Sequence, residues 1–180
     1  MAVHSPQNAE IIIVTGKKDE FQLLDDSVKV YFTKRGISDI KAYNVAAFAA
    51  DYEGLSPKQL IDLKGLMGDS SDNIPGVPGV GPKTALKLIC EYGTVEKVLE
   101  NIAQISGKSL KEKLENNKDA ALLSKKLATI FTEVPVDLDL DKYELKAMSD
   151  EARPLMQELE YRNLHERFKP ILGGSDGTFD

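Results

Sequence analysis

Gly68-Asp69-Ser70-Ser71-Asp72-Asn73-Ile74-Pro75-Gly76-Val77-Pro78-Gly79-Val80-Gly81-Pro82-Lys83-Thr84 sets two carboxylates three residues apart against a glycine-rich turn that opens a helix. Asp69 and Asp72 can converge on one hard divalent cation, because Mg2+ or Mn2+ takes carboxylate oxygens and keeps water and substrate phosphate as its other ligands. Gly79 and Gly81 serve a different chemistry. Without a Cβ they let the backbone approach a phosphate, and the free N–H groups at the start of the next helix point at that anion, with Lys83 adding charge. Metal chemistry beside phosphate binding describes a nuclease-like site. Taken alone, the stretch also has a plainer reading: Asp and Asn commonly bond turn amides, and a Gly-Val-Gly turn can simply join two packed helices.

On the N-terminal side, Ile11-Ile12-Ile13-Val14 is a continuous apolar run ending in Thr15-Gly16, which predicts a buried, parallel strand. In open α/β sheets ligands bind beyond the carboxyl ends of strands, so Lys17 to Asp19 fall where a site is expected. Asp19 to Leu24 fits a short helix. Val28 to Thr33 alternates as a second strand, Lys34-Arg35-Gly36 turns, and Ile37 to Tyr43 is a third extended piece. From Val45 the pattern becomes helical, first to Tyr52 and then, behind a Ser56 cap and Pro57, from Lys58 to Met67, where Gly68 stops it. Asp69 and Asp72 therefore follow a helix C-terminus, where the dipole disfavours carboxylates unless a metal or a basic partner compensates.

On the C-terminal side, Pro82 starts a helix with Ala85, Leu86, Leu88 and Ile89 inward, Gly93 ends it, and Thr94 caps Val95 to Asn101. Two more helices follow, Ser109 to Asn116 and Asp119 to Phe131. The second is expected to bury Leu122, Leu123, Leu127 and Ile130 and to turn Lys125 and Lys126 outward. Pro135 to Asp141 reads as extended and acidic, Ser149 caps a helix to about Leu159, Leu164 to Phe168 forms another turn, and Gly173 to Gly177 reads as a frayed tail or linker.

The 180 residues are near the size of one domain, and an apolar content of 42% is ordinary for a protein with a real core. The formal net charge of −6 argues weakly against indiscriminate nucleic-acid binding, but the charge is uneven: lysines gather between Lys108 and Lys126, and carboxylates dominate from Asp137 to Glu160. Cys90 is the single cysteine, so an intrachain disulfide or a Cys-based zinc site is ruled out, which fits a reducing, cytoplasmic compartment. At a helical apolar position it is expected to be buried packing. His4 and His165 lie far in sequence from the carboxylates and are assigned to surface or packing. The leader has no basic region followed by an apolar run, and no segment is long enough to span a bilayer, so no membrane partner is expected.

From about Ile11 to about Phe168 the chain resembles the C-terminal half of the 5′-nuclease domain of the flap endonuclease family, as found in bacterial DNA polymerase I. The residues that carry the resemblance are the opening stretch together with Ile13-Val14-Thr15-Gly16, Ile61 to Met67 and Ala121 to Ile130. It implies the remnant of a PIN-like, mostly parallel α/β sheet over residues 11–54, then a helix-hairpin-helix DNA-binding region over 55–170, with a polar leader at 1–10 and a flexible tail at 171–180. It also implies a metal-dependent phosphodiesterase that cuts 5′ flaps and ends, with Asp19, Asp69 and Asp72 on Mg2+ or Mn2+. Gly76, Val77, Gly79, Val80, Gly81, Lys83, Thr84 and Lys87 would grip double-stranded or flap DNA, Lys125 and Lys126 would extend that contact, and a K+ ion could sit at the hairpin as in relatives.

Two departures from the family pattern bear on activity. The family shows Gly-Asp-x-Asp where this chain has Gly16-Lys17-Lys18-Asp19, so Lys17 stands at a degenerate ligand position, able to pair with Asp19, Asp69 or Asp72. The family's N-terminal half, with its further metal-binding acids and its basic arch, has no counterpart in this sequence. Three functions follow: a Mg2+-dependent 5′ nuclease completed by a separate N-terminal half, a DNA-binding module that cuts weakly or not at all by itself, or a gene fragment with no independent role. A polymerase is a further partner on the family pattern. Two-metal hydrolysis needs carboxylates from both halves, which favours the second.

Overall fold

In the computed structural model, residues 10–35, 38–136, 139–143, 154–155 and 158–161 are described. The chain divides into two compact units, residues 1–134 and 135–180. The expected leader, the helix from Ser149, the turn at Leu164, both histidines and the glycine-rich tail lie wholly or mostly outside the described residues. In the second unit the described part includes a single 3-10 turn, Leu140–Tyr143, and an exposed Lys142–Asp139 pair at 3.3 Å.

The first unit opens on a three-stranded sheet in the order β1 (Ile11–Thr15), β2 (Val28–Arg35), β3 (Asp39–Tyr43). β1 runs parallel to β2, with Ile13 opposite Val30, and β3 returns antiparallel with a register shift between Thr33 and Arg35. Asp25 sets the entry to β2, its carboxylate accepting the N–H groups of Ser27 and Val28 at 2.8 Å each. The expectation of a buried first strand is corrected: Ile12 is 44% and Val14 65% exposed, because among the described residues β1 has a neighbour on one edge and a covering layer on one face.

That covering layer is aromatic. Phe21, from a 3-10 turn at Asp19–Leu23, packs 4.5 Å from Tyr43, and Phe48 of α1 (Val45–Asp51) stacks on Tyr52 at 4.3 Å. Burying a ring such as Phe21 or Phe48 contributes about 1.5–3 kcal/mol, and both are almost fully buried.

Helices carry the same core onward. The Ser56–Gln59 capping box and Pro57 start a 3-10 turn that leads into α2 (Leu60–Met67), and Gly68, at φ +73°, ends it. α3 (Pro82–Tyr92) and α4 (Val95–Glu100) follow as expected, Thr94 accepting the N–H of Lys97. Then come α5 (Lys108–Asn116) and α6 (Lys118–Ala128).

α6 corrects the sequence reading most. Leu122, Leu123 and Leu127 are exposed, Leu127 by 56%, and the inward face is Ala121, Ser124 and Ala128. The cause lies on α2, where a Cβ on Gly65 would meet the Ala121 carbonyl at 3.2 Å and Lys125 Cβ at 3.0 Å. Helix axes this close admit only small residues between them, so the leucines rotate out. Cys90, expected in the core, is exposed on α3. Among the described residues no helix is long and apolar enough to cross a membrane.

Candidate metal centre and nucleic-acid interface

Two elements bring the acids together. Asp19 begins the 3-10 turn beyond the C-terminal end of β1, and Asp69 caps, and Asp72 ends, the short turn Ser70–Asp72 that follows α2. The loop is closed by reciprocal bonds, Asp69 N–H to the Ile74 carbonyl at 2.9 Å and Ile74 N–H to the Asp69 carbonyl at 2.8 Å. One carboxylate oxygen from each of Asp19, Asp69 and Asp72 lies within 4.8 Å of the others. An oxygen-only donor set of this kind fits a hard divalent cation, which would supply Lewis-acid charge and an acidified water.

The sequence reading missed what already holds these acids. Lys64, on α2, is 4% exposed and bridges Asp69 Oδ2 at 2.7 Å and Asp19 Oδ1. Burial works against the charge on Asp69, yet the bonds from Lys64 and Ser71 outweigh it and draw the carboxyl down to about 2. Burial likewise opposes the charge on Lys64, and Asp19 and Asp69 together raise its pKa above the ordinary lysine value. The available signal was a lysine inside the apolar run Leu63-Lys64-Gly65-Leu66-Met67, which forces its head group to find a charged partner.

Lys17 does reach the cluster. Its Nζ is 3.4 Å from Asp72 Oδ1, an exposed pair beside the buried Lys64 bridge. Glu20 is a fourth acid next to the cluster that the sequence reading passed over. Its Oε2 is buried without a hydrogen-bond partner, in a smaller cavity lined also by Lys17, Asp19 and Asp72.

The hairpin residues fall into two sets. Gly76, Val77 and Val80 are buried, with their N–H groups committed to Ser124 Oγ at 2.9 Å, the Leu66 carbonyl at 2.8 Å and the Val77 carbonyl at 3.0 Å. Gly76 must be glycine for space as well as φ, since a Cβ there would stand 2.2 Å from the Gly68 nitrogen. These residues shape the turn. By contrast, the N–H groups of Gly79, Gly81, Lys83 and Thr84 find no partner among the described residues, and the Lys83 and Lys87 side chains are exposed without an ion pair. Pro82 at the first position of α3 has no N–H to satisfy, and the helix start adds its partial positive charge to the lysines.

The expectation that Lys125 faces outward is corrected. It bonds Asp62 at 2.7 Å and Glu96 at 2.7 Å, and Asp62, 4% exposed, also accepts the N–H of Val95 at 2.9 Å. Lys125 thereby ties α6 to α2 and α4. Burial opposes its charge, but the two carboxylates prevail and raise its pKa. Lys126 is exposed with no ion pair among the described residues.

Asp19 and Asp69 share a surface with the start of α3. An open cleft of about 880 Å³ runs from Lys17 and Asp19 past Lys64 and Asp69 to Pro82 and Lys83, with Tyr52, Phe32 and Leu63 on its wall.

The chain matches the family model "5′-3′ exonuclease, C-terminal SAM fold" over residues 55–151. It is 47% identical to DNA polymerase I of Bacillus subtilis (strain 168) over 159 residues, which are 88% of this chain and 18% of that one. Against DNA polymerase I of Bacillus caldotenax it is 53% identical over 132 residues, 73% of this chain and 15% of that one. It therefore spans less than a fifth of the length of these relatives. Among solved structures, the 5′-exonuclease of T5 with bound zinc superposes with a TM-score of 0.57 at 24% identity, covering 66% of this chain and 42% of that one. The catalytic core of Rad2 in complex with DNA substrate gives 0.57 at 22% identity, covering 89% and 55%. Those likenesses confirm the fold expected from the sequence.

Proposed function

Because the chain belongs to the 5′-3′ exonuclease family through its C-terminal SAM-fold region, we propose that it is the duplex-gripping part of a structure-specific 5′-3′ exonuclease or flap endonuclease. It binds double-stranded and flap DNA through phosphate and has little cleavage activity alone. The observation that carries this reading is the set of amides at Gly79, Gly81, Lys83 and Thr84, beside the ammonium groups of Lys83 and Lys87, that have no partner among the described residues. Backbone amides and lysines contact phosphate without reading bases, so affinity follows duplex shape and ionic strength rather than sequence. The Rad2 core of the same fold is in complex with a DNA substrate, which supports the assignment.

Weak cleavage follows from the charges in the cluster. Three carboxylates there face two ammonium groups, Lys64 inside and Lys17 at the rim. A dication must compete with both, and Lys17 occupies the position where the family pattern has a further carboxylate. Asp19, Asp69 and Asp72 would hold Mg2+ or Mn2+ weakly. The convergence of those three oxygens also favours a second reading, an active nuclease completed by a separate N-terminal half.

A fluorescence-anisotropy titration of a 5′-flap duplex over a range of KCl tests the first reading. The expected result is sequence-independent binding whose logarithm falls linearly with the logarithm of salt. Absence of binding at low salt overturns it. Adding an N-terminal half from a relative and recovering cleavage would establish the second reading.

A further inference from the structure

The hairpin is held from outside by a residue of α5. Lys113 donates from Nζ to the carbonyl oxygen of Gly79 at 3.2 Å, close enough that a Cβ on Gly79 would lie 2.7 Å from that nitrogen. The carbonyl of Gly79 and the N–H of Val80 belong to one planar peptide unit. Its N–H end bonds the Val77 carbonyl at 3.0 Å, so Lys113 and Val77 clamp the same plane from opposite ends. The Gly79 N–H and the Gly81 N–H belong to the peptide units on either side of that plane, joined to it through Gly79, at φ +78°, and through Val80, so clamping the central plane restrains both neighbours. Lys111, two residues earlier on the same helix, is spent elsewhere, on the Ala103 carbonyl at 2.5 Å.

We propose that Lys113 is the positioning residue of the hairpin. It presets the amides of Gly79 and Gly81 for an incoming phosphate, and its ammonium gives the Gly79 carbonyl the positive partner that a bound monovalent cation would otherwise provide. This rests on reading the hairpin as a phosphate cradle. A charge-assisted bond to a carbonyl is stronger than a neutral one, so the turn is formed before DNA arrives and K+ is not needed to form it.

Amide hydrogen exchange by NMR on the full chain tests the inference, comparing Lys113→Met and Lys113→Arg with Lys111→Met, which removes the same charge from the same helix. The expected result is exchange of the Val80 N–H about tenfold faster in Lys113→Met, as local opening becomes easier, with Lys113→Arg near wild type and Lys111→Met unchanged. Replacing K+ by tetramethylammonium at equal ionic strength leaves wild-type exchange unchanged and speeds it further in Lys113→Met. Flap binding weakens more in Lys113→Met than in Lys111→Met. Unaltered Val80 exchange in Lys113→Met, equal K+ dependence in wild type and variant, or equal loss of DNA binding in both methionine variants would each overturn the proposal. If no form binds DNA, the proposed function falls while Val80 exchange still decides the role of Lys113.

Discussion

The acid loop and the hairpin lie a few residues apart in sequence, yet they treat charge in opposite ways. Around Asp69 the three clustered carboxylates are answered from within: Lys64 bridges Asp19 and Asp69, and Lys17 reaches Asp72. Around Gly79 to Lys87, the amides of Gly79, Gly81, Lys83 and Thr84 and the ammonium groups of Lys83 and Lys87 have no partner among the described residues. A self-satisfied polar cluster is bound into stability, whereas an unsatisfied one at the surface is ready for an external partner. The two regions should therefore respond differently to substitution, the first in folding and the second in binding.

The largest effect should come from Lys64→Met, which leaves two partly buried carboxylates without their cation. Loss of one partner of a buried pair costs about 3 kcal/mol or more, read as a lower urea midpoint at unchanged m. A cost below about 0.5 kcal/mol would break the comparison, since Lys64 would then not be what answers the acids. Lys125→Met should come next, at about 2–3 kcal/mol, because it strands Asp62 inside the helical region. Lys126→Met, one residue on, should be close to neutral, and equal losses in the two variants would mean that the α6 face has been misassigned.

Acid should act through Asp69. Its folded carboxyl titrates at about 2 against an ordinary value of 3.8, so its contribution is fully present above the unfolded value and is lost as the pH falls toward 2. Wild type should lose about 2 kcal/mol more than Asp69→Asn over that window, measured by urea unfolding at pH 5 and pH 2. Equal losses would show that Lys64 does not hold the carboxylate.

The hairpin should behave in the reverse way. Lys83→Glu and Lys87→Glu should each leave the urea midpoint within about 0.5 kcal/mol while weakening flap binding about tenfold, as expected when a charge-assisted contact of about 1–2 kcal/mol is lost. Unchanged binding in both would remove the hairpin from the interface. The smallest effect should be that of Lys17→Asp, a severalfold gain in Mn2+ affinity by calorimetry, because the Lys17 pair is exposed and such pairs are worth about 1 kcal/mol or less. Equal affinity would mean that Lys17 does not compete with the metal.

The sequence was legible where local chemistry decides. Pro82, Gly68, Gly93 and the Ser56 and Thr94 caps each mark a helix end that backbone sterics or capping enforces, and the acids of the loop sit where those ends put them. It was misleading where packing between distant helices decides. Leucine periodicity pointed Leu122, Leu123 and Leu127 inward, but Gly65 on α2 brings the axes close and selects Ala121, Ser124 and Ala128 instead. Lys125 read as an outward cation and Lys64 was passed over, since their partners Glu96 and Asp19 are set only by the tertiary fold. β1 read as buried because an apolar run carries no record of which edge or face lacks a neighbour.

The central claim, that this chain grips flap DNA while cutting it poorly, can be tested in one time course. A 5′-flap duplex labelled at the flap end is mixed with the protein at low salt, Mg2+ is added, and fluorescence anisotropy is followed. The account predicts a rise on mixing that then holds level, the flap bound and uncut. Absence of a rise would contradict the gripping role, and a rise followed by an Mg2+-dependent fall, abolished by Asp69→Ala, would show a working nuclease where Lys64 and Lys17 were expected to prevent one.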